Sequence, residues 1–295
     1  MRLGLGTVQF GLDYGITNEG GRVPPAQVSR ILEAAHAGGI RVLDTAAAYG
    51  LSESVLGETL APEHGFSVVT KTQPLGVTEV SPHDVMRVRD TFHRSLERLH
   101  QDSVYGLLVH HAQDVLAKGG DRLVEELLAL KQAGLVQKIG VSVYNGTQLD
   151  RLADMPLDLV QLPLNVLDQR LRESGHLDTL KRRNVEIHVR SAFLQGLLLM
   201  DEAPVSAHFQ SVRPHLQTYR DALARHGLTP AQGALGFLRQ LPEVDEVIVG
   251  VTSEAQLLEL LAAATAPLPE LAYESFAWTD EAILDPSRWP APTTR

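Results

Sequence analysis

Apolar runs of strand length punctuate this chain. Rich in Val, Ile and Leu, they fall at Leu3–Thr7, Val42–Ala46, Ser67–Thr72, Val104–His110, Lys138–Val143, Leu159–Asn165, Glu186–Ser191 and Glu246–Val251. Most are apolar on consecutive residues rather than on alternate ones, which suits parallel strands covered on both faces. Helical patterns separate them. From Pro25 to Gly39 the apolar residues Ala26, Val28, Ile31, Leu32 and Ala35 keep a helical period between an early proline and a Gly-Gly stop. The same reasoning predicts helices near Ser52–Leu60, Ser81–Leu99, Asp121–Ala133, Thr147–Leu152, Gly175–Arg183, Val212–His226, Pro230–Gln240 and Ser253–Ala264.

Strand and helix alternating eight times predicts an α/β protein of the (β/α)8 TIM barrel class, one domain over residues 1–295. An open doubly wound sheet is the rival. It is weakened because no strand is followed by a complete Gly-x-Gly-x-x-Gly; Gly4-Leu-Gly6 lies inside the first strand. Met200 to Arg213 reads as a loop, and the proline-bearing tail from about 266 to 295 reads as irregular.

Composition narrows the function classes. With 295 residues, 44% of them hydrophobic, the chain can bury one large core. A formal net charge of -10, with no Lys/Arg cluster interleaved with aromatics, argues against nucleic acid or an anionic membrane and for a small-molecule substrate. Zero cysteines exclude a disulfide framework, a thiolate metal site and a cysteine nucleophile. The start lacks an apolar leader, and no apolar run approaches the ~18 residues of a membrane helix, so the expected location is the cytoplasm. Oligomeric state stays open.

Candidate chemistry collects where strands give out. Arg41-Val-Leu-Asp44 ends in a carboxylate and is followed by Tyr49; Phe66–Lys71 delivers a lysine; Val104–His110 delivers a histidine. Strand ends are where barrel enzymes keep their chemistry. A phenol titrates near pH ~10, so a lysine beside Tyr49 would favour phenolate character, and Asp44 would hold that lysine charged and in place. His110 could donate to a carbonyl oxygen and orient it. Taken singly, each residue has an ordinary structural reading as an ion pair, loop aromatic or core histidine. His110-His111 does not make a metal site, since adjacent strand residues point to opposite faces.

The motifs Asp44-Thr-Ala-x-x-Tyr49-Gly-x-Ser-Glu-x-x-Leu-Gly57, Thr70-Lys71, Leu107-Leu-Val-His110, Lys138-Ile-Gly-Val-Ser142, Val160-Gln161 and Val249-Gly250 resemble, in order and spacing, those of the aldo-keto reductase superfamily. The resemblance runs from about Leu3 to Leu260. Leu5–Gly15 and Arg190–Leu199 further resemble a bacterial branch associated with carbohydrate metabolism. It implies a catalytic tetrad of Asp44, Tyr49, Lys71 and His110, with Tyr49 the general acid/base. It also implies an oxidoreductase of aldehydes, ketones or their alcohols. A hydride must come from a nicotinamide, because no side chain supplies one.

By the same resemblance the cofactor contacts are Thr7, Asp44, Ser142, Gln161, Arg190, Ser191, Phe193, Gly250, Thr252, Gln256 and Glu259. Ser142 and Gln161 would meet the carboxamide, Ser191 and Phe193 the pyrophosphate, and Gly250 to Glu259 the adenosine phosphate at a helix N-terminus. Three positions depart from the family pattern. Val143 stands where asparagine is usual, His111 follows the catalytic histidine, and Arg190 replaces the aromatic that stacks on the nicotinamide. Arg190 can stack as a guanidinium or bind an anionic substrate group or an internal carboxylate. Thr252 and Gln256 are polar but uncharged where relatives bind a 2'-phosphate with Lys or Arg, so NADP is expected and NAD stays open.

Candidate substrate-pocket residues are Val8, Gln9, Phe10, Leu51, His111, Asn165, Trp278 and Trp289. Few aromatics argue for a polar carbonyl such as an aldose or keto sugar over a bulky steroid. Two alternatives accompany this reading. One is a nucleotide-sensing binding subunit, as potassium-channel beta subunits resemble this superfamily; the other is a non-redox sugar isomerase or lyase using the same tetrad.

Overall fold

Eight parallel strands close into a barrel in sequence order: β1 (Arg2–Gly6), β2 (Val42–Asp44), β3 (Ser67–Lys71), β4 (Val104–Val109), β5 (Val136–Ser142), β6 (Leu159–Pro163), β7 (Glu186–Arg190) and β8 (Glu246–Gly250). The computed structural model describes residues 1–15, 18, 20–200, 207–267 and 271–290. β1 pairs with both β2 and β8, with Gly6 opposite Asp44 on one side and Gly250 on the other.

The doubly apolar strands have a simple cause. Alternate residues point inward, where Val42, Val69, Leu108, Leu159 and Ile248 form a small core of their own with Tyr105 against it. The intervening residues, such as Leu43, Val68, Leu107, Ile139, Val160 and Val247, join the larger core under the surrounding helices. Gly140 is dictated by this closeness: a Cβ there would lie 1.8 Å from the Leu159 carbonyl oxygen of the neighbouring strand.

The main helices fall where periodicity predicts them, within one or two residues at each end. Ser81 and Thr229 form capping boxes with Asp84 and Gln232, each followed by proline at the helix start. The period reading did not predict the single-turn helices Val8–Gly11, Ala112–Leu116 and Arg170–Glu173, which are too short to show a period. Of the expected loop from Met200 to Arg213, residues 201–206 lie outside the described residues, and Ala207–Phe209 is a 3-10 turn.

The tail is irregular but docked. Among its described residues it carries only short turns, at Tyr273–Phe276, Glu281–Leu284 and Pro286–Arg288, yet buries Tyr273, Phe276, Ile283 and Leu284. Trp278 donates its backbone N–H to the Leu167 carbonyl at 2.8 Å, and His215 Nε2 lies 2.9 Å from the Phe276 carbonyl. The tail's positions 268–270 and 291–295 fall outside the described residues. Among those described, no helix is long and apolar enough to cross a membrane.

The N-terminal mouth of the barrel holds an ionic cluster. Arg2 pairs with Glu246 at 2.6 Å, Tyr105 donates to Glu186 at 2.7 Å, Lys138 pairs with Glu186, and His188 Nε2 lies 2.7 Å from the same carboxylate. That end reads as a stabilising plug, since barrel chemistry gathers at the opposite face.

Candidate active site

The C-terminal mouth gathers the strand-end residues. Asp44 and Lys71 are the last residues of β2 and β3, His110 follows β4 directly, and Tyr49 sits in the loop after β2. Lys71 is 1% exposed and Asp44 4%, so their ion pair, Nζ to Oδ2 at 2.6 Å, is sealed from water. Lys71 Nζ also donates to the Thr45 carbonyl at 2.9 Å and to the Tyr49 hydroxyl at 3.5 Å. The other Asp44 oxygen, Oδ1, accepts from Gln161 Nε2 at 2.7 Å. Tyr49 and His110 meet edge to face with ring centroids 5.7 Å apart. All four residues predicted as a tetrad therefore face one point.

Burial governs the electrostatics. Desolvation works against the Lys71 ammonium, but Asp44 and Tyr49 hold its pKa above the ordinary lysine value. Burial raises the Tyr49 phenol, and the pull of Lys71 in the other direction does not overcome it. The sequence expectation of a net lowered phenol is thus reversed; the lysine acts as expected, but desolvation is larger. His110 is driven down to about 3 by burial first and then by Lys71, His111 and Arg190, which makes it neutral at physiological pH. Its Nδ1 is buried without a partner, while its backbone N–H donates to Thr72 Oγ1 at 3.3 Å. His111 lies outside the strand as the exposed N-cap of Ala112–Leu116, its ring 5.2 Å from that of His110. Among the described residues no metal-ligating cluster occurs.

Ser142 and Gln161 are register partners on β5 and β6. Gln161 uses its amide N–H on Asp44, and among the described residues its oxygen has no side-chain partner; Ser142 is 3% exposed and its hydroxyl has no partner among the same residues. One free hydroxyl and one free carbonyl side by side fit a carboxamide. Val143 is fully buried and contributes only backbone here. Thr7, by contrast, is fully committed inside the protein, donating to the Asp44 carbonyl at 3.0 Å and accepting from Ser52 at 2.8 Å.

At the β8 end, Gly250 is exposed and a Cβ there would lie 2.6 Å from Gln9 Nε2, so glycine keeps the backbone open beside Gln9, whose Oε1 is buried and unpaired. Thr252 donates through both N–H and hydroxyl to Gln256 Oε1, at 2.8 and 3.0 Å, ahead of helix Glu254–Thr265. Glu259 lies exposed farther along that helix. After β7 the backbone is strained: Ser191, Leu194 and Gln195 have φ of 58°, 48° and 53°. Phe193 is 8% exposed and packs into the main core.

Several pocket candidates are displaced from the site. Phe10 is core, Asn165 is a buried turn residue that accepts from the backbone N–H groups of Leu167 and Asp168, and Trp278 and Trp289 pack against His215 and Phe209. Leu51 remains, 51% exposed beside Tyr49. The structure adds contacts that no spacing marked. Tyr144 stacks under the Arg190 guanidinium at 4.3 Å, and Tyr14 accepts from Gln195 Nε2 at 3.3 Å, joining the loops after β1 and β7.

Comparison with known proteins identifies the family. The model of the Aldo/keto reductase family matches residues 2–280. The chain is 27% identical to protein tas of Escherichia coli, covering 86% of this chain and 87% of that one. A shorter match, 30% identical over 39% of this chain and 36% of the relative, is to a D-arabinose 1-dehydrogenase of Saccharomyces cerevisiae. Among solved structures, the aldo-keto reductase AKR11C1 of Bacillus halodurans, in its holo form, superposes with a TM-score of 0.76 over 98% of this chain and 95% of its own, at 21% identity.

Proposed function

The chain belongs to the aldo/keto reductase family, and from that premise we propose an NAD(P)H-dependent oxidoreductase that reduces an aldehyde or ketone to the alcohol, or runs the reverse. The observation that carries the proposal is the buried Lys71 ammonium held between Asp44 and the Tyr49 hydroxyl at the barrel mouth. A bound nicotinamide would supply the hydride. Tyr49 would give its hydroxyl proton to the carbonyl oxygen as charge develops there, with Lys71 stabilising the phenolate left behind. Asp44 keeps Lys71 aimed at that oxygen. His110, neutral at physiological pH, can donate one N–H to the same oxygen without adding a charge that the phenolate would have to balance.

In this reading Ser142 and Gln161 hold the carboxamide, Arg190 and Asp44 border the nicotinamide end, and Ser191, the Phe193 backbone and Gly250 take the pyrophosphate side. Thr252, Gln256 and Glu259 form the adenosine end. Thr7 acts through the Asp44 backbone. NADP is the family expectation; Glu254 in the first turn of its helix, with Arg30 already 3.9 Å from that carboxylate, weighs toward NAD. The substrate class is a small polar carbonyl, supported by the sugar named for the yeast relative.

Fluorescence titration with NADPH and NADH, followed by absorbance at 340 nm over aldehydes, aldoses and keto sugars, tests the reading. Tyr49→Phe should keep cofactor affinity and lose about 10²- to 10⁴-fold in carbonyl turnover. A fully active variant overturns the acid/base assignment, and binding without turnover in the wild type moves the protein to a nucleotide sensor or a non-redox barrel.

A further inference from the structure

We propose that Arg190 is an oxyanion receptor in the mouth, selecting carbonyl substrates that carry a carboxylate or phosphate. The inference rests on the reductase reading and narrows its substrate class.

The sequence left Arg190 three roles, and the structure removes one. No carboxylate among the described residues pairs with it. Its guanidinium donates through Nη2 to the Val143 carbonyl at 3.0 Å and through Nη1 to Ser191 Oγ at 3.3 Å, and it lies over the Tyr144 ring at 4.3 Å. Two of its five N–H donors are spent on neutral acceptors, which leaves three for a ligand. Carboxylates do line the same cleft, yet they are claimed elsewhere: Glu281 by Arg170 at 3.0 Å and by Arg288 at 2.8 Å, and Asp285 by Arg288 at 3.5 Å. An unneutralised, half-buried guanidinium clamped between a ring and a carbonyl is pre-oriented to hold two oxygens of a carboxylate or phosphate.

Its position links that charge to the chemistry. Arg190 ends β7 at the register of Pro163, on the mouth that Asp44, Lys71 and His110 share. Its field reaches the reacting groups, since it helps to hold down the His110 imidazole, behind burial, Lys71 and His111, and opposes the burial-driven rise of the Tyr49 phenol. The loops after β1 and β2 contribute Leu12, Tyr14 and Leu51 to the rim as exposed apolar surface. A substrate with its carbonyl at Tyr49 would find one cationic side and one largely apolar side.

The rival role is a brace that ties β5 to β7, or a contact to the cofactor alone. The test compares wild type, Arg190→Gln and Arg190→Lys on two matched pairs, 4-oxobutanoate against butanal and glyceraldehyde 3-phosphate against glyceraldehyde, with NAD(P)H dissociation constants measured separately. The wild type should prefer the anionic member of at least one pair by about tenfold or more in kcat/KM. Arg190→Gln should erase that ratio mainly through KM, and Arg190→Lys should keep part of it. A ratio near one in the wild type, or one unchanged in Arg190→Gln, overturns the proposal. So does a variant that loses cofactor affinity and both substrates equally. Calorimetric titration of the two anions into Tyr49→Phe keeps the two readings apart. Anion binding there that Arg190→Gln abolishes, with no wild-type turnover, would sink the reductase reading and support the receptor; turnover without anion preference would do the reverse.

Discussion

Replacing Asp44 by asparagine tests the core of the site without any substrate. The change is isosteric, yet it leaves the Lys71 ammonium, 1% exposed, facing only the Thr45 carbonyl and the Tyr49 hydroxyl. The amide would also present one acceptor where the carboxylate served both Lys71 and Gln161. Breaking a buried pair from one side costs about 3–5 kcal/mol. In a chain of this size that lowers the melting temperature by roughly 10 °C. The pH dependence carries a sign. In the wild type the Lys71 pKa is raised, so its contribution is fully present below the ordinary lysine range and is lost only as pH climbs through the raised value. In Asp44→Asn burial is opposed only by Tyr49, the pKa falls below ordinary, and the penalty present at neutral pH eases toward pH ~10. Urea unfolding followed by tryptophan fluorescence, from pH 6 to 10, should show the gap largest near neutrality and narrowing above. Adding Lys71→Met removes the stranded charge and should return the protein to within about 1–2 kcal/mol of wild type. A single variant within about 1 kcal/mol of wild type at pH 7, or a double variant no better than the single, would refute a sealed ion pair.

Two further tests address the scaffold. Burial pushes Glu186 up, but His188, Lys138 and Tyr105 together hold it down to about 2, so its contribution is present above pH 4.5 and lost as pH falls toward 2. Discounted for solvent screening of this partly exposed group, that amounts to about 1–2 kcal/mol, and urea midpoints of Glu186→Gln should be flatter than wild type across that window, the opposing rise at Glu246 being smaller in the variant because Glu186 contributes to it. His100 caps helix Pro82–Leu99 at φ 52° and ψ 43°, exposed and left-handed. His100→Gly should therefore raise stability by about 1 kcal/mol, read as a higher urea midpoint.

The barrel was legible because its signals are local. A run such as Val104–His110 declares a doubly covered strand without knowing its neighbours, and Asp44, Lys71 and His110 declare themselves by ending such runs. Side-chain partners are another matter, because they depend on strands far apart in sequence. Gln161 reaches Asp44 across 117 positions, and Arg190 reaches the Val143 carbonyl across 47. Neither is encoded in a spacing. The Tyr49 phenol shows the same division: its neighbours could be named from order alone, but the sign of its shift depends on how deeply the mouth closes over it, and burial exceeds the lysine's pull. Arg190 joins the two levels. The sequence marks it as a charged residue in an aromatic's place, while only the fold shows that Tyr144 supplies an aromatic from β5's side and that the nearby carboxylates are already paired. In the proposed reading the ring thus lies beneath the guanidinium and the positive charge stays at the mouth, while the Asp44–Lys71–Tyr49 contacts stand apart from it.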